Sequence, residues 1–320
     1  MFYSLISFQI ILAFFLPIIS FEEIELPLYF NLREKYSKCE SLFDILDQSN
    51  CDGCWAYASA SAMSDRLCIH SKNQTDQRRV SPTYLLSCCE NCGYGCDGGW
   101  LTDAYNFWKE NGIPTGGQYN DYSTCQPNFL PKCNHVYGLY SKYSSCSSNG
   151  AVAPKCQNTC FNKNLDFNKE MTYGSTGYYY LNGEEEIMKE IYINGSVTCV
   201  MYVYSDFLYY KSGVYKHKGG SAMGGHAIKI IGWGIENGEK YWLCANSWND
   251  QWGENGLFKI LRGVNECGVE KEATAAMPKI QDLPRELEIP NISKIPEVVS
   301  NFGYFYKKSI FIILLSLIIF

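Results

Sequence analysis

The distribution of apolar and polar residues changes character along this chain of 320 residues. The first part has the pattern of helices: residues 55–67 are rich in alanine, Ser81-Pro82 combines an N-cap with a first-turn proline, and the segment from Thr102 ends at Gly112. We therefore predict helices over these three stretches.

Short apolar and aromatic runs replace this pattern after a further predicted helix at residues 184–193. Such runs, when turn formers bound them, are typical of β-strands. The predicted strands are residues 197–204, 227–233, 241–245 and 257–261. A helical first half and a β-rich second half predict an α+β protein of two lobes, with a site in the cleft between them.

Residues 115–177 show neither pattern and are dominated by Gly, Pro, Ser, Asn and five cysteines, so we expect disulfide bonds to order them. The whole chain has 16 cysteines, far above cytosolic usage, which indicates an oxidising compartment. Its 46% hydrophobic content is that of a folded protein. Its net charge of -6 argues against nucleic acid as a partner.

The N-terminal residues 1–20 are almost wholly apolar and predict a cleaved signal peptide. No Lys or Arg precedes Arg33, which leaves an uncleaved anchor as the alternative. We predict the secretory pathway, ending in a lysosome-like or vacuole-like compartment or outside the cell. Three acceptor sequons for N-glycosylation agree with this route; they begin at Asn73, Asn194 and Asn291.

The C-terminal part divides into a predicted stalk, residues 279–308, and a hydrophobic tail, residues 309–320. Proline punctuates the stalk up to residue 299 and aromatics are absent there, as in a linker. The tail as a helix would span about 18 Å, against roughly 30 Å of bilayer hydrocarbon. We predict membrane attachment, by exchange of the tail for a lipid or by direct insertion, with an unprocessed hydrophobic end as the alternative.

The segment from Cys51 to Trp55 allows three interpretations. A redox Cys-x-x-Cys pair needs a preceding strand, but residues 47–50 are polar loop formers. A zinc site would need a second cysteine pair, such as Cys92 and Cys96, which an oxidising compartment would oxidise. The third interpretation makes Cys54 a nucleophile beside a structural cysteine, since the start of a helix favours a thiolate. A nucleophile of this kind needs a base.

Among the four histidines, His226 is flanked by Gly225 and Ala227 and opens a predicted strand. Asn246 ends the next predicted strand and precedes Ser247 and Trp248. An amide in that position can accept a hydrogen bond from the imidazole while an indole shields the bond from water. Each feature alone is weak evidence for a catalytic site.

Together these residues resemble the papain family of cysteine proteases, whose signature is Cys-Gly-Ser/Ala-Cys-Trp/Tyr with His and Asn downstream. The cysteine-rich insertion over residues 125–160 resembles the cathepsin B branch. Asp52 replaces the Gly of the signature and Gly53 the Ser/Ala. Leu26-Pro27 resembles the start of a mature member and follows the signal segment so closely that no propeptide is expected between them.

The resemblance implies a papain-like fold over residues 21–278, with a helical N-terminal lobe and a β-barrel-like C-terminal lobe. It also implies peptide-bond hydrolysis, mainly as an endopeptidase, with Cys54 as nucleophile, His226 as base, Asn246 as its orienting group and Gln48 as an oxyanion donor. The expected partners are protein and peptide substrates and cystatin-like inhibitors; we expect no metal, no cofactor and a monomer. A catalytically silent peptide-binding or adhesion homologue is the alternative.

Disulfides and substrate contacts follow from the same resemblance. The implied pairs are Cys39–Cys68, Cys51–Cys96, Cys88–Cys156, Cys89–Cys92, Cys125–Cys160 and Cys133–Cys146. The implied substrate-binding residues are Gly98, Gly99, Trp100, Leu101, Val200, Gly225, Ala227, Trp248 and Glu272. An occluding-type loop at about 133–146 carries one histidine, His135, where the branch has two, with Asp47 as its partner acid. We therefore expect reduced carboxydipeptidase activity.

Overall fold

A computed structural model describes residues 24–136 and 141–280. The predicted signal peptide (1–20), most of the stalk, the tail (309–320) and the Asn291 sequon lie outside the described residues, as does the middle of the 133–146 loop. The predictions for those segments stay predictions. No helix within the described ranges is both long and apolar enough to cross a bilayer.

The N-terminal lobe is built on three helices that the sequence predicted. They are α2 (Cys54–His70), α3 (Pro82–Cys88) and α4 (Leu101–Glu110). The Ser81 hydroxyl caps α3 by accepting a hydrogen bond from the Tyr84 amide. Three shorter elements of this part are β2 (Ile113–Pro114), α5 (Phe167–Glu170) and β3 (Met171–Thr172). The first elements of the chain, β1 (Phe30–Asn31) and α1 (Leu32–Lys35), pack instead into the core of the C-terminal lobe.

The C-terminal lobe combines helix α6 (Gly183–Asn194) with one sheet. Its strands are β4 (Tyr179–Leu181), β5 (Val197–Tyr204), β6 (Val214–Tyr215), β7 (Ala222–Glu236), β8 (Glu239–Ala245), β9 (Leu257–Leu261) and β10 (Ala273–Ala275). The strand order is β4-β10-β5-β7-β8-β9-β6, with β1 also pairing with β7. The predicted α+β architecture is confirmed.

Strand β7 begins earlier than the sequence predicted. It starts at Ala222, so His226 lies inside the strand and does not open it. Gly224 and Gly225 carry no side chain, so the start of this strand does not appear as an apolar run in the sequence. Gly224 also has φ +126, which favours glycine at that position.

Each lobe has its own core, and α2 lies between them. Trp55 and Trp108 are buried in the N-terminal core, whereas Trp233 and Trp242 are buried in the C-terminal core. Most residues of α2 are buried, and the alanines and serines among them let the helix pack closely against β7. The start of this helix is thereby fixed at the junction of the lobes.

Two buried ion pairs also join α2 to the C-terminal lobe. Arg66 binds Glu190 of α6 at 2.7 Å, and Asp65 binds Lys229 of β7 at 2.7 Å. The Arg66 Nε also donates to the carbonyl of Ser196 at 2.7 Å. Because each charge has a partner, their burial is tolerated.

Six disulfides form with the pairing that the resemblance implied. They are Cys39–Cys68, Cys51–Cys96, Cys88–Cys156, Cys89–Cys92, Cys125–Cys160 and Cys133–Cys146. Cys125–Cys160 and Cys133–Cys146 close loops within the loop-rich middle of the chain, and Cys88–Cys156 joins that middle to α3. Cys54, Cys199, Cys244 and Cys267 are free, and Cys199 and Cys244 are buried, as predicted.

Candidate active site

Cys54 is the first residue of α2 and lines a cleft of about 520 Å³. Its neighbour in the Cys-x-x-Cys segment, Cys51, is bonded to Cys96, and Cys54 itself is a free thiol. The segment is therefore neither a dithiol pair nor half of a zinc site. The backbone N–H of Cys54 has no partner within the helix, because the first N–H groups of a helix never do.

The environment of the Cys54 thiol acts on its pKa in both directions. Burial is the largest influence and raises the pKa above its ordinary value. Backbone N–H groups of Ala227 and Trp55 lower it, and the negative charge of Asp52 raises it again. Burial thus outweighs the helix N-terminus, and the thiol is favoured over a lone thiolate.

His226 and Asn246 come together through the register of β7 and β8. Lys229 of β7 pairs with Ala245 of β8, so the next residue, Asn246, lies opposite Ile228. His226 is two residues before Ile228 in β7 and therefore points to the same face of the sheet. The His226 Nε2 is 2.8 Å from Oδ1 of Asn246.

The aromatic ring of Trp248 covers the same histidine. Its centroid lies 4.8 Å from that of the His226 ring, at an interplanar angle of 29°. His226 is only 5% exposed and Asn246 only 4%. The hydrogen bond between them is therefore shielded from water, as the sequence suggested.

The tautomer of His226 follows from these hydrogen bonds. The backbone N–H of Ser247 donates to Oδ1 of Asn246 at 2.8 Å, which identifies that atom as the amide oxygen. Since an oxygen can only accept, the His226 Nε2 carries a proton, and Nδ1 is the basic nitrogen of the neutral ring. Burial lowers the pKa of His226 to about 4, although the bond to Asn246 acts to raise it.

Gln48 is held in place at both ends of its side-chain amide. Its Nε2 donates to the carbonyl of Cys51 at 2.8 Å, and its Oε1 accepts from the Ser247 hydroxyl at 2.6 Å. The second N–H of the Gln48 side-chain amide takes part in neither of these two hydrogen bonds. Because Gln48 lines the same cleft as Cys54, that N–H is available to an acceptor beside the thiol.

Two glycines form part of the cleft wall. Gly98 has φ +107, where a side chain would be strained. A Cβ on Gly99 would lie 2.6 Å from the ring of Trp55, so only glycine fits there. These positions keep the wall open to a close approach by another backbone.

The residues predicted for substrate binding fall into two groups. Those that line the cleft with Cys54 are Gly98, Gly99, His135, Gly225 and Trp248. Those that do not line it are Trp100, Leu101, Val200, Ala227 and Glu272. Trp100 is half exposed and Leu101 buried, at the start of α4.

The second group includes three residues that align across the sheet. Val200 of β5 pairs with Ala227 of β7, and Thr274 of β10 pairs with Thr198 of β5. Continuing that register places Glu272 at the level of Val200. The Glu272 side chain is 59% exposed and lies 3.9 Å from Lys271.

His135 connects the Cys133–Cys146 loop to the body of the protein. Its Nε2 is 2.8 Å from Oδ1 of Asp47, and its ring stacks on Trp248 at 6.1 Å. Asp47 is 1% exposed and its other oxygen accepts hydrogen bonds from the amide of Cys133 and from Asn249. The base of the loop is thus tied to one buried carboxylate.

The same region holds the one candidate metal-ligand cluster among the described residues. It consists of Cys133, His135 and Cys146. The two sulfurs are joined in a disulfide, so neither is a thiolate that could bind a metal ion.

The sequence of this chain matches the family model "Papain family cysteine protease" over residues 26–277. The chain belongs to that family. Cathepsin B-like cysteine proteinase 4 of Caenorhabditis elegans is 44% identical over 257 residues, which cover 80% of this chain and 76% of the relative. A cathepsin B-like cysteine proteinase of Schistosoma japonicum is 42% identical, with 80% and 74% covered.

A solved structure shows the same papain-family fold. Procathepsin B S9 from Trypanosoma congolense superposes with a TM-score of 0.69 at 39% identity and covers 81% of this chain and 80% of its own. The predicted papain-like α+β fold is therefore confirmed. The chain is a papain-family cysteine peptidase of the cathepsin B kind.

Several residues of this papain-family cleft were not predicted from the sequence. Asp97, Val203, Leu208, Met223 and Gly224 line it, and Ser247 holds Gln48. Asp97 adjoins Gly98 and Gly224 adjoins Gly225, so adjacency to predicted residues could have identified these two. No local signal identifies Leu208 or Met223, because the fold brings them to the cleft.

Proposed function

We propose that this chain hydrolyses peptide bonds in protein and peptide substrates through an acyl-enzyme on Cys54. The observation that carries the proposal is the convergence of a free thiol, His226 and Gln48 on one cleft, with Asn246 bonded to the histidine. A peptide-binding module has no chemical need for these four groups together.

The reaction begins with transfer of the Cys54 proton to Nδ1 of His226. The thiolate then attacks the scissile carbonyl carbon and forms the C–S bond, and the carbonyl electrons move to oxygen. As the oxyanion collapses, the C–N bond breaks and His226 gives its proton to the leaving amine. His226 next takes a proton from water, whose oxygen displaces Cys54 and releases the carboxylic acid.

Ionisation of the pair is compatible with the burial of both groups. Burial opposes a lone thiolate at Cys54 and a lone imidazolium at His226. Proton transfer creates both charges together in the one cleft that both residues line, so each offsets part of the desolvation penalty of the other. Asn246 favours the imidazolium by accepting from Nε2 in either protonation state.

The oxyanion would receive two hydrogen bonds. The free N–H of the Gln48 amide is one donor, and the backbone N–H of Cys54 is the other. Both donors are fixed before the charge develops, which is the condition for stabilising a transition state more than a ground state.

The test is hydrolysis of fluorogenic peptides with dibasic and with hydrophobic residues before the scissile bond. The wild-type protein is compared with Cys54→Ala, and with Cys199→Ala as a control for loss of a thiol outside the cleft. We expect turnover by the wild type and the control and none by Cys54→Ala. Turnover by Cys54→Ala at the wild-type rate would overturn the proposal.

The rival proposal is a silent binding homologue, and the charge of Asp52 favours it by raising the pKa of the Cys54 thiol. Alkylation distinguishes the two. An active site reacts with iodoacetamide at one thiol, Cys54, near neutral pH with loss of peptidase activity. A silent homologue binds peptides without turnover, and its Cys54 reacts no faster than a free cysteine.

We further propose endopeptidase activity as the main activity, with reduced carboxydipeptidase activity. His135 is the one histidine of its loop, and it lines the cleft while its Nε2 is bonded to Asp47. Because Nε2 of His135 is already bonded to Asp47, this one imidazole binds a substrate carboxylate less strongly than two histidines would.

This finer proposal is tested with His135→Ala on two substrates. We expect dipeptide release from a peptide with a free C-terminal carboxylate to fall, while cleavage of the corresponding C-terminal amide at an internal bond is retained. Equal dipeptide release by His135→Ala and the wild type would refute the role of His135.

The six disulfides support a location in the secretory pathway, either in a lysosome-like or vacuole-like compartment or outside the cell. Immunolocalisation of the full chain with markers of the endoplasmic reticulum, lysosome and cytosol tests this proposal. A cytosolic distribution would overturn it.

A further inference from the structure

The peptide group between Asp47 and Gln48 is held from both sides. Its N–H, which belongs to Gln48, donates to the carbonyl of Ser247 at 2.9 Å. Its carbonyl, which belongs to Asp47, accepts from Nδ2 of Asn128 at 3.0 Å. The N–H and C=O of a trans peptide point in opposite directions within one plane. These two hydrogen bonds therefore fix the plane from which the Gln48 side chain starts.

The side-chain amide of Asn128 is in turn oriented by α2. Its Oδ1 accepts from the hydroxyl of Tyr57 at 2.7 Å and from the backbone N–H of Leu130 at 3.2 Å. A backbone N–H can only donate and the Asp47 carbonyl can only accept. The hydrogen bonds thus assign the oxygen and the nitrogen of this amide, and Tyr57 is connected through Asn128 to the Asp47–Gln48 peptide.

This connection is shielded from water along its whole length. Tyr57 is 1% exposed, Asn128 4% and Asp47 1%. Burial and the nearby Asp47 carboxylate raise the pKa of Tyr57, so its hydroxyl stays protonated and remains a donor. Because water does not compete for these hydrogen bonds, each one has a defined geometry, and loss of a partner leaves a buried polar group unpaired.

The backbone at Asn128 is anchored to the N-terminal lobe. Its N–H donates to the carbonyl of Gly117 at 3.2 Å, and the carbonyl of the preceding Pro127 accepts from the hydroxyl of Thr83, in α3, at 2.9 Å. Asn128 is not among the described residues that line the cleft with Cys54. Any effect of Asn128 on a reaction in the cleft therefore passes through residues that do line it.

Tyr57 relates Gln48 to the second proposed oxyanion donor. It lies in α2 about one turn after Cys54, whose backbone N–H is that donor. The hydrogen bonds through Asn128 thus run from the helix that carries one donor to the segment that carries the other. Two donors stabilise an oxyanion only when both are aimed at the same oxygen, and a small displacement of either lowers the rate.

We propose that Asn128, oriented by Tyr57, is a positioning residue for Gln48 in the oxyanion site. The inference rests on the proposed function and adds to it two residues that do not touch the substrate. Without the Asn128 amide, the Asp47–Gln48 peptide is held by Ser247 alone, and the Gln48 amide loses its aim. Because Gln48 acts when the oxyanion forms, the loss falls on kcat and not on KM.

The experiment is a double-mutant cycle of Asn128→Ala and Gln48→Ala, with kcat and KM measured on a fluorogenic peptide that has no free C-terminal carboxylate. That substrate removes any contribution from carboxylate binding at His135. We expect Asn128→Ala alone to lower kcat about tenfold with KM unchanged. In the Gln48→Ala background it should change kcat by less than about twofold, because no amide is left to misplace.

Tyr57→Phe is the second, milder variant, since it removes only the hydroxyl and keeps the ring in the core. We expect it to lower kcat about threefold with KM unchanged, and to have no further effect beside Gln48→Ala. It repeats the cycle if Asn128→Ala yields no intact sites. Titration of Cys54 with iodoacetamide counts the intact sites in every variant, so misfolded protein does not enter kcat.

The matched control is Tyr84→Phe. The hydroxyl of Tyr84, in α3, donates to Oδ1 of Asn158 at 2.9 Å. This is another tyrosine–asparagine bond from a helix to the loop-rich middle of the chain, but neither residue is among the described residues that line the cleft. We expect wild-type kcat in this variant.

Two results would overturn the positioning role and leave the proposed function standing. One is an equal fall in kcat for Asn128→Ala or Tyr57→Phe with and without Gln48, which is the result expected of a merely structural contact. The other is wild-type kcat in both variants. If the wild-type protein shows no Cys54-dependent turnover, the proposed function itself fails, and the positioning role fails with it.

Discussion

The Ser247 hydroxyl donates a hydrogen bond of 2.6 Å to Oε1 of Gln48 and so ties the two sides of the cleft together at the reacting groups. The backbone adds a second link, because the Gln48 N–H donates to the carbonyl of Ser247 at 2.9 Å. Gln48 precedes α2, and Ser247 follows β8. The position of the amide that faces the oxyanion is thus set by both lobes.

Removal of this amide should slow the chemical step. We expect Gln48→Ala to lower kcat about 10²-fold to 10³-fold with little change in KM, because the lost hydrogen bond forms fully only in the transition state. Ser247→Ala keeps the amide but frees its oxygen, so its loss should be smaller. Steady-state kinetics on one fluorogenic peptide measures both, and an unchanged kcat in Gln48→Ala would contradict the oxyanion role.

The pKa of His226 should respond to the residue that accepts from its Nε2. Asn246→Asp places a carboxylate where the amide oxygen lies at 2.8 Å, so the pKa should rise from about 4 by about 1–3 units. Asn246→Ala removes a hydrogen bond that raises the pKa and should lower it. NMR titration of the imidazole in a Cys54→Ala background measures both, and shifts of the same sign in the two variants would disprove the orienting contact.

The family resemblance implies that Glu272 lies at the base of the pocket for the second residue before the scissile bond, and we predict that it selects that residue. Its carboxylate, at the level of Val200, can form an ion pair with an arginine side chain but forms no ion pair or hydrogen bond with phenylalanine. Because the side chain is 59% exposed, we expect Glu272→Gln to reduce kcat/KM for arginine-bearing peptides about fivefold and to leave phenylalanine-bearing peptides unchanged. Equal losses on the two peptides would contradict the assignment.

The buried pair of Arg66 and Glu190 should contribute to stability at neutral pH. Burial raises the pKa of Glu190, but Arg66 and hydrogen bonds from Tyr179 and Asn194 lower it more, so it lies below the ordinary value of 4.5. Glu190→Gln leaves Arg66 buried without its counter-ion, and we expect a loss of about 3–5 kcal/mol in the free energy of unfolding at pH 7.

The pH dependence of that loss has a defined sign. A lowered carboxyl pKa stabilises the fold above pH 4.5, and the contribution disappears as the pH falls through 4.5 towards the folded-state pKa. Urea unfolding followed by tryptophan fluorescence should therefore show a shallower loss of stability below pH 4.5 in Glu190→Gln than in the wild type. Parallel curves for the two proteins would show that this carboxyl does not titrate with unfolding.

N-glycosylation should distinguish two of the sequons. Asn73 is exposed in a turn with φ 56, whereas Asn194 is half-buried and its amide donates to Glu190 at 2.9 Å. We expect a glycan on Asn73 and none on Asn194 when the protein is made in a eukaryotic host. Glycopeptide mass spectrometry checks this, with Asn73→Gln and Asn194→Gln as matched variants; a glycan on Asn194 alone would contradict the prediction.

The local sequence pattern predicted those elements whose stabilising features lie within the element or directly beside it. Strands β5 and β9 coincide with the predicted ranges 197–204 and 257–261, because each is an apolar run that ends at turn residues. Helix α3 begins after Ser81 as predicted, because the capping hydrogen bond is made within four residues. All the residues that carry these signals lie within short stretches of sequence.

Long-range contacts account for what the sequence did not predict. The early start of β7 depends on its pairing with β5, and the residues Gly224 and Gly225 do not themselves predict that pairing. Met223 reaches the cleft through strand β7, and Leu208 through the short helical turn that follows β5. The family motif located Cys54, His226, Asn246 and Gln48, but the raised pKa of the thiol depends on burial and on Asp52, which the motif lacks.

The two ion pairs of α2 limit how the cleft can accommodate a substrate. Separating the lobes would leave Asp65 and Arg66 facing away from Lys229 and Glu190, and stranding a buried charge costs about 3–5 kcal/mol. The two ion pairs therefore oppose separation of the lobes, and with it any widening of the cleft. If the proposed function holds, we expect compact protein substrates to be cleaved slowly until one of their own segments unfolds to an extended form.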